Sequence, residues 1–219
     1  MLTWLAAAAI GMAEVFRCVF AEELGERGRR AHQPGGFDLL TSRPADAATS
    51  VPADSTGTAP GELVNIGDVH LIGAGAIGQA AAYALAHVNV AGRIYVVDPE
   101  TVTLSNLQRY LLTDAGSVGA VKVNLVRDAL THQVPVVHNL TADNPSDSVL
   151  EVHPIQGRWG DRPTHLRVDQ VLVALDTARD RILVAGTLPH HAYNAWTQVA
   201  DLGWSRHEQF GDQPCLAFA

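Results

Sequence analysis

An α/β fold built on a mostly parallel sheet with helices on both faces is predicted by three observations. From Asp68 onward, short apolar runs alternate with segments of helical apolar spacing. The first run leads into a glycine loop, GAGAIG at Gly73–Gly78, and the second ends in Asp98, twenty residues past Gly78. Strands that read as continuous apolar runs belong to sheets buried on both faces, and such sheets are parallel.

The elements follow in order. The opening MLTWLAAAAIGMA is apolar, but no Lys or Arg precedes it and Arg17 is the first basic residue, which is not signal-peptide anatomy. It is too short to span a bilayer before Glu14 and Arg17 interrupt it, so no membrane role is expected. A packed alanine-rich helix continuing through EVFRCVFAEEL is expected instead. Residues 25–36 turn basic and glycine-containing, and 41–61 are rich in Pro, Ser, Thr, Ala and Asp. These read as a surface connection, with Phe37–Leu40 as a short strand at most. The chain therefore divides into an N-terminal helix and flexible linker (1–61) and a nucleotide-binding domain (62–219).

Within that domain Asp68–Ile72 reads as a strand, Ile77–Val88 as a helix and Arg93–Val97 as a second strand, together one βαβ unit of Rossmann-like type. Ala120–Thr131 is a helix with Val121, Leu125, Val126 and Leu130 on one face, and Val134–Val137 a strand. Asp147–Val152 is assigned a short helix, and the rest of 141–167 has no clear pattern. Val168–Leu175 is a strand, Ala178–Leu188 a helix stopped by Pro189, and His191–Thr197 a further strand. His190 and His191, as neighbours on a strand, should face opposite ways and form no metal pair.

Composition limits the function. The 219 residues are 47% hydrophobic and carry a formal charge of −8, which suits a globular core and makes nucleic acid a poor partner. Cys18 and Cys215 stand almost at opposite ends and form no disulfide framework, in keeping with a reducing, cytoplasmic setting. Cys18 reads as a packed core thiol.

Ligands of open α/β sheets bind outside the carboxyl ends of the strands. Three ends carry chemistry here: the loop Gly73, Gly75, Ala76, Ile77 and Gly78, then Asp98, then Asp176. A glycine loop lets backbone N–H groups approach phosphate, and an acid closing the next strand can hold ribose. Asp176 on its own could equally cap the following helix. Asn106 and Arg109 are three apart, facing one way if helical, and Lys122 follows thirteen residues after Arg109. Two cations and a carboxylate near a glycine loop are equipment for polyphosphate, although an isolated Arg or Lys is by default a solvated charge. The loop alone leaves a redox cofactor and ATP both open.

The run GAGAIG, VVDPETVTLSNLQRY, VGAVKVNLV and VLVALDTARDR resembles the adenylating domain of the ubiquitin-activating superfamily, the ThiF/MoeB group, over Glu62–Thr197. The resemblance implies ATP as cofactor, with Gly73, Gly75 and Gly78 forming the nucleotide loop, Asp98 binding ribose, Asn106, Arg109 and Lys122 surrounding the triphosphate, and Asp176 organising Mg²⁺. It implies activation of the C-terminal carboxylate of a ubiquitin-like or sulfur-carrier protein, by a homodimer. Glu100 stands for the second acid of the family motif, Tyr110 for a common Gln, and Thr177 for the usual Asn after Asp176. Pro214 and Cys215 match the first half of a zinc motif whose second cysteine is replaced by Phe218, so no zinc is expected. Either the chain is a shortened family member or its subfamily dispenses with the metal. Cys215 is alternatively a thioester-forming nucleophile. Asn194, Trp196, Ser205 and His207 are expected to line the groove for a substrate tail. The competing readings are an NAD-dependent oxidoreductase and a silent subunit that binds a ubiquitin-like partner.

Overall fold

The computed structural model describes residues 22, 36–38, 43–45, 63–132, 150–161, 168–198 and 201–209. Backbone contacts divide the chain into two compact units, Met1–Glu62 and Leu63–Ala219. In the first, β1 (Gly36–Asp38) pairs antiparallel with β2 (Arg43–Ala45), so the short strand expected near Phe37 finds its partner inside the stretch read as a connection. The expected N-terminal helix and Cys18 lie outside the described residues, apart from Glu22, which is helical.

The second unit is a six-stranded sheet in the order β5-β4-β3-β6-β7-β8. It comprises β3 (Val64–Ile72), α1 (Ala76–Leu85), β4 (Val90–Val97), α2 (Lys122–Thr131), β5 (Leu150–Ile155), β6 (Gln170–Val173), α3 (Ala178–Ala185), β7 (His191–Gln198) and β8 (Asp201–Glu208). Every pair is parallel except the β7–β8 hairpin, which adds an antiparallel edge. The fold is thus the expected Rossmann-like α/β class.

Strand alternation sends neighbouring side chains to opposite faces. Leu71 joins Ile94 and Val96 beneath α1 and α2, packing on Ala82, Val123, Val126 and Leu130. Ile72, one residue on, joins Val171, Val173 and Ala192 beneath Val184 of α3. Because β3 is central and covered on both faces, its last four residues are all buried, His70 among them.

Several boundaries differ from expectation: β3 and β4 start earlier, at Val64 and Val90, and β6 is confined to Gln170–Val173. α1 ends at Leu85 rather than Val88. α2 starts at Lys122 rather than Ala120, because Val121 is extended and bridges Thr101. α3 ends at Ala185, since Leu188 takes a positive φ of 49° ahead of Pro189, where helical backbone is disfavoured. Residues 150–152, assigned to a helix, belong instead to β5, which pairs with β4 from Gly92↔Leu150 to Val97↔Ile155. Its Pro154 is tolerated because β5 is an edge strand, where one ladder donor is dispensable. The strand expected at 134–137 lies outside the described residues.

His190 and His191 also depart from the pleat argument. β7 begins at His191, so His190 precedes the strand and the two rings lie 4.6 Å apart. Among the described residues no group of His, Cys, Asp or Glu is arranged to hold a metal ion by itself.

Candidate functional site

Chain order reverses at β3: β4 and β5 build one side of the sheet and β6 starts the other. The loops leaving β3 and β6 part at that point, opening a crevice at their carboxyl ends. A cleft of about 510 Å³ lies there, lined by Gly73, Gly75, Ala76, Ile77, Asp98, Glu100, Arg109, Tyr110, Lys122 and Asp176 among others. Past Gly73, Asp98 and Arg158 it adjoins a second lobe of about 610 Å³, walled by Trp159, Leu175 and Leu183. Either lobe has the size of an ordinary small-molecule site.

The glycine loop is held by its neighbours. Gly73 has φ +98°, and a Cβ there would sit 2.4 Å from the carbonyl oxygen of Ala174, so only glycine lets the β3 and β6 exits run this close. The Gly73 N–H donates to the Val97 carbonyl (2.9 Å), and the Ala74 N–H donates to Asp98 Oδ2 (2.7 Å). Gly78 does not line the cleft: it packs against Gly73, where a Cβ would meet the carbonyl oxygen at 1.9 Å. Helix α1 begins at this loop with Gly75 as N-cap, no side-chain cap and no acid in its first turn. Its first N–H groups therefore face the cleft without a side-chain acceptor, an arrangement that receives anions.

Asp98 is 7% exposed, and its second oxygen, Oδ1, accepts the Glu100 N–H (2.8 Å). Burial pushes its carboxyl above the ordinary value, and the two amides and Lys122 pull it back only in part. Each oxygen retains a lone pair for a further donor.

Residues 99–121 form a long excursion that carries Arg109 and leads into Lys122 at the start of α2. Asn106 is buried; its Oδ1 accepts the Thr103 N–H (2.9 Å) in a capping box. It holds the turn and does not line the cleft, whereas Arg109 does, so the two do not face one way as a regular helix would make them. The 3₁₀ turn Leu104–Asn106 ends before Arg109, which lies in the turn that follows, so no regular helix relates the two side chains. Arg109 donates to the Ser105 carbonyl (3.0 Å) and its guanidinium lies 5.4 Å from the Tyr110 ring centre. Buried Gln79 ties the parts together, donating to the Ala74 carbonyl (3.2 Å) and accepting the Leu112 N–H (3.0 Å).

Lys122, 2% exposed, opens α2. Its ammonium donates to Tyr110 Oη (2.9 Å) and pairs with the Glu100 carboxylate, which is itself largely exposed. Burial disfavours the charge, but the Glu100 and Tyr110 hydrogen bonds outweigh it, and the Lys122 pKa stands above the ordinary lysine value. An ammonium has three N–H groups, so one remains for a ligand.

On the opposite wall Asp176 follows β6. The cap of α3 is not Asp176 but Thr177, whose hydroxyl oxygen accepts the Asp180 N–H (3.1 Å). The carboxylate of Asp176 is exposed at the cleft and spared that duty. A single carboxylate beside a polyphosphate fits Mg²⁺, which commonly takes one or two protein carboxylates and fills its shell with phosphate and water. Cys215 and the half zinc motif lie outside the described residues.

The structure adds Arg158 and Arg181, which the sequence reading did not single out. Arg181 shares the inward stripe of α3 with Val184, three residues on, and an arginine on an apolar stripe behind a strand-end acid was the available signal. Of the residues expected to line a tail groove, Trp196 lines the cleft. Asn194, Ser205 and His207 do not; Asn194 and His207 are buried, and Ser205 Oγ lies 2.7 Å from His207 Nε2.

The sequence model of the ThiF family matches residues 61–192. An uncharacterized protein, y4jF, of Sinorhizobium fredii is 38% identical over 215 residues, 96% of this chain and 37% of that protein. The molybdopterin-synthase adenylyltransferase of Escherichia coli is 45% identical over 83 residues, 38% of this chain and 31% of that protein. The chain thus spans about a third of the length of these relatives. Among solved structures, E. coli MccB with ATP is 18% identical, with a TM-score of 0.44 over 60% of this chain and 37% of that one.

Proposed function

Because the chain belongs to the ThiF family, we propose that it activates a carboxylate with ATP: the C-terminal carboxylate of a ubiquitin-like or sulfur-carrier protein becomes an acyl-adenylate. The observation that carries this is the meeting of the uncapped α1 N-terminus, Lys122, Arg109 and Asp176 in one cleft at the strand-order reversal. Its relatives support it: one is named an adenylyltransferase for molybdopterin synthase and another an adenylyltransferase and sulfurtransferase.

In this reading the glycine-loop N–H groups and Lys122 hold the phosphates, and the remaining lone pairs of Asp98 accept the ribose hydroxyls. Gly78 and Asn106 shape the loop and the turn rather than touching nucleotide. A carboxylate oxygen attacks the α-phosphorus; a new O–P bond forms, the bond to the bridging oxygen breaks, and its electron pair leaves on pyrophosphate. No proton moves, since the nucleophile is already an anion. Arg109 and Lys122 neutralise charge growing on the phosphates, and losing either costs roughly a hundredfold or more in rate. Mg²⁺, held through Asp176, supplies further neutralisation when bound. Exposed Leu104, Leu111, Val118 and Leu188 support a homodimer, and the paucity of cysteine supports a cytoplasmic setting.

The test is ATP–pyrophosphate exchange with a small protein ending in Gly-Gly. Carrier-dependent exchange that Asp176→Ala abolishes is expected. Exchange undiminished in Asp176→Ala would remove the metal role, and ATP binding without any exchange would favour a silent subunit.

A further inference from the structure

We propose that Arg181 is the carboxylate-recognition residue of the cleft, gripping the terminal carboxylate of the polypeptide to be activated; this rests on the adenylation reading above. Arg181 is 9% exposed, lines the cleft, and among the described residues its guanidinium donates to no acceptor and pairs with no acid. Its guanidinium nitrogens open onto the cleft, so an anionic ligand can supply the acceptors that the protein does not.

The other charges of the cleft are largely committed. Glu100 pairs with Lys122, Asp98 holds two backbone amides, and Asp180 accepts the Thr177 hydroxyl (2.7 Å). Arg109 and Lys122 belong to the 99–122 segment, on the wall formed with α1. Arg181 comes from α3, which packs on the other face of the sheet, and shares its side of the cleft with Asp176 and Trp196. A triphosphate seated at the α1 N-terminus is served by the first wall. The anion left for the second is the attacking group. A planar guanidinium fork matches a carboxylate with two parallel hydrogen bonds, and fixing that anion beside a polyanion offsets their repulsion before the O–P bond forms.

The experiment uses the full chain and a synthetic peptide ending in Gly-Gly, as free acid and as C-terminal amide, with binding of each and of ATP measured by calorimetry. The wild type is expected to bind the acid at least tenfold more tightly than the amide. Arg181→Gln is expected to bring the two within twofold of each other while leaving ATP affinity unchanged, and Arg181→Lys to keep part of the preference. Equal binding of acid and amide by the wild type, or a preference that survives Arg181→Gln, overturns the proposal. So does a loss of ATP affinity in Arg181→Gln, which would make the ligand a phosphate. A second readout needs no ligand: Arg181→Met is expected to melt no lower than the wild type, and a lower melting temperature would reveal a structural partner and refute the proposal. Peptide binding and pyrophosphate exchange separate the two claims. Acid preference without exchange defeats adenylation but not Arg181, and exchange without acid preference does the reverse.

Discussion

Two alanine substitutions in one glycine loop should behave in opposite ways. At Gly78 a Cβ would stand 1.9 Å from the Gly73 carbonyl oxygen, 1.5 Å short of the 3.4 Å at which ordinary contact begins (3.4 − 1.9), and 3.0 Å from the carbonyl carbon. The obstacle is backbone, and that backbone is clamped by Val97 and by the Ala174 N–H on Ile72, so relief requires α1 to lift off the loop. Overpacking of this kind costs about 1–3 kcal/mol, and a rigid obstacle places Gly78→Ala at the upper end. In a unit of this size each kcal/mol lowers Tm by roughly 2–4 °C, so a fall of about 6–12 °C is expected. Displacing the α1 N–H groups should also weaken ATP at least tenfold. At Gly75 the backbone has φ −80°, and a Cβ would meet only Tyr110 Oη at 3.5 Å. Gly75→Ala should therefore melt within about 2 °C of the wild type, its effect confined to ligand binding at the cleft surface. Circular-dichroism melts and ATP titration measure both. If Gly78→Ala melts with the wild type and binds ATP within twofold, the close approach of α1 to the loop is not what holds this site.

Capping and titration supply two further tests. Thr177→Ala removes the α3 cap and should cost about 1 kcal/mol, visible as a lower Tm, whereas Asp176→Ala should leave Tm unchanged; the reverse result would make Asp176 the cap. Because the folded pKa of Lys122 is raised, its contribution to stability is fully present below the unfolded value near 10.5 and is lost as pH rises through the folded value. The difference in urea midpoint between wild type and Lys122→Met should therefore stay constant from pH 6 to 9 and shrink above pH 10.5, and a slope between pH 6 and 9 would contradict the pairing.

Local pattern carried most of the fold. β3, β4 and β6 were legible because their carboxyl ends are short, mainly apolar runs, and α1 and α2 because one face packs on the sheet. β5 was not, since Leu150–Ile155 is an edge strand with Pro154 and alternating exposure, and only its register with β4 defines it. β8 likewise exists as the partner of β7. The Asp176 loop was placed correctly, but whether that acid capped a helix depended on a single hydroxyl at Thr177.

The order of residues determined by itself that a glycine loop, a strand-end Asp98 and the later Arg109, Lys122 and Asp176 belong to one family pattern, because strand and helix periods are local and the motif spacing is written along the chain. Tertiary structure decided what each side chain is free to do. It committed Asn106 to a turn and Gly78 to a helix contact, neutralised Lys122 with Glu100 and Tyr110, and buried Arg181 without an anion. The physical reason is that an acceptor's availability depends on neighbours brought together across the sheet, as Ala74 and Asp98 are from 24 positions apart.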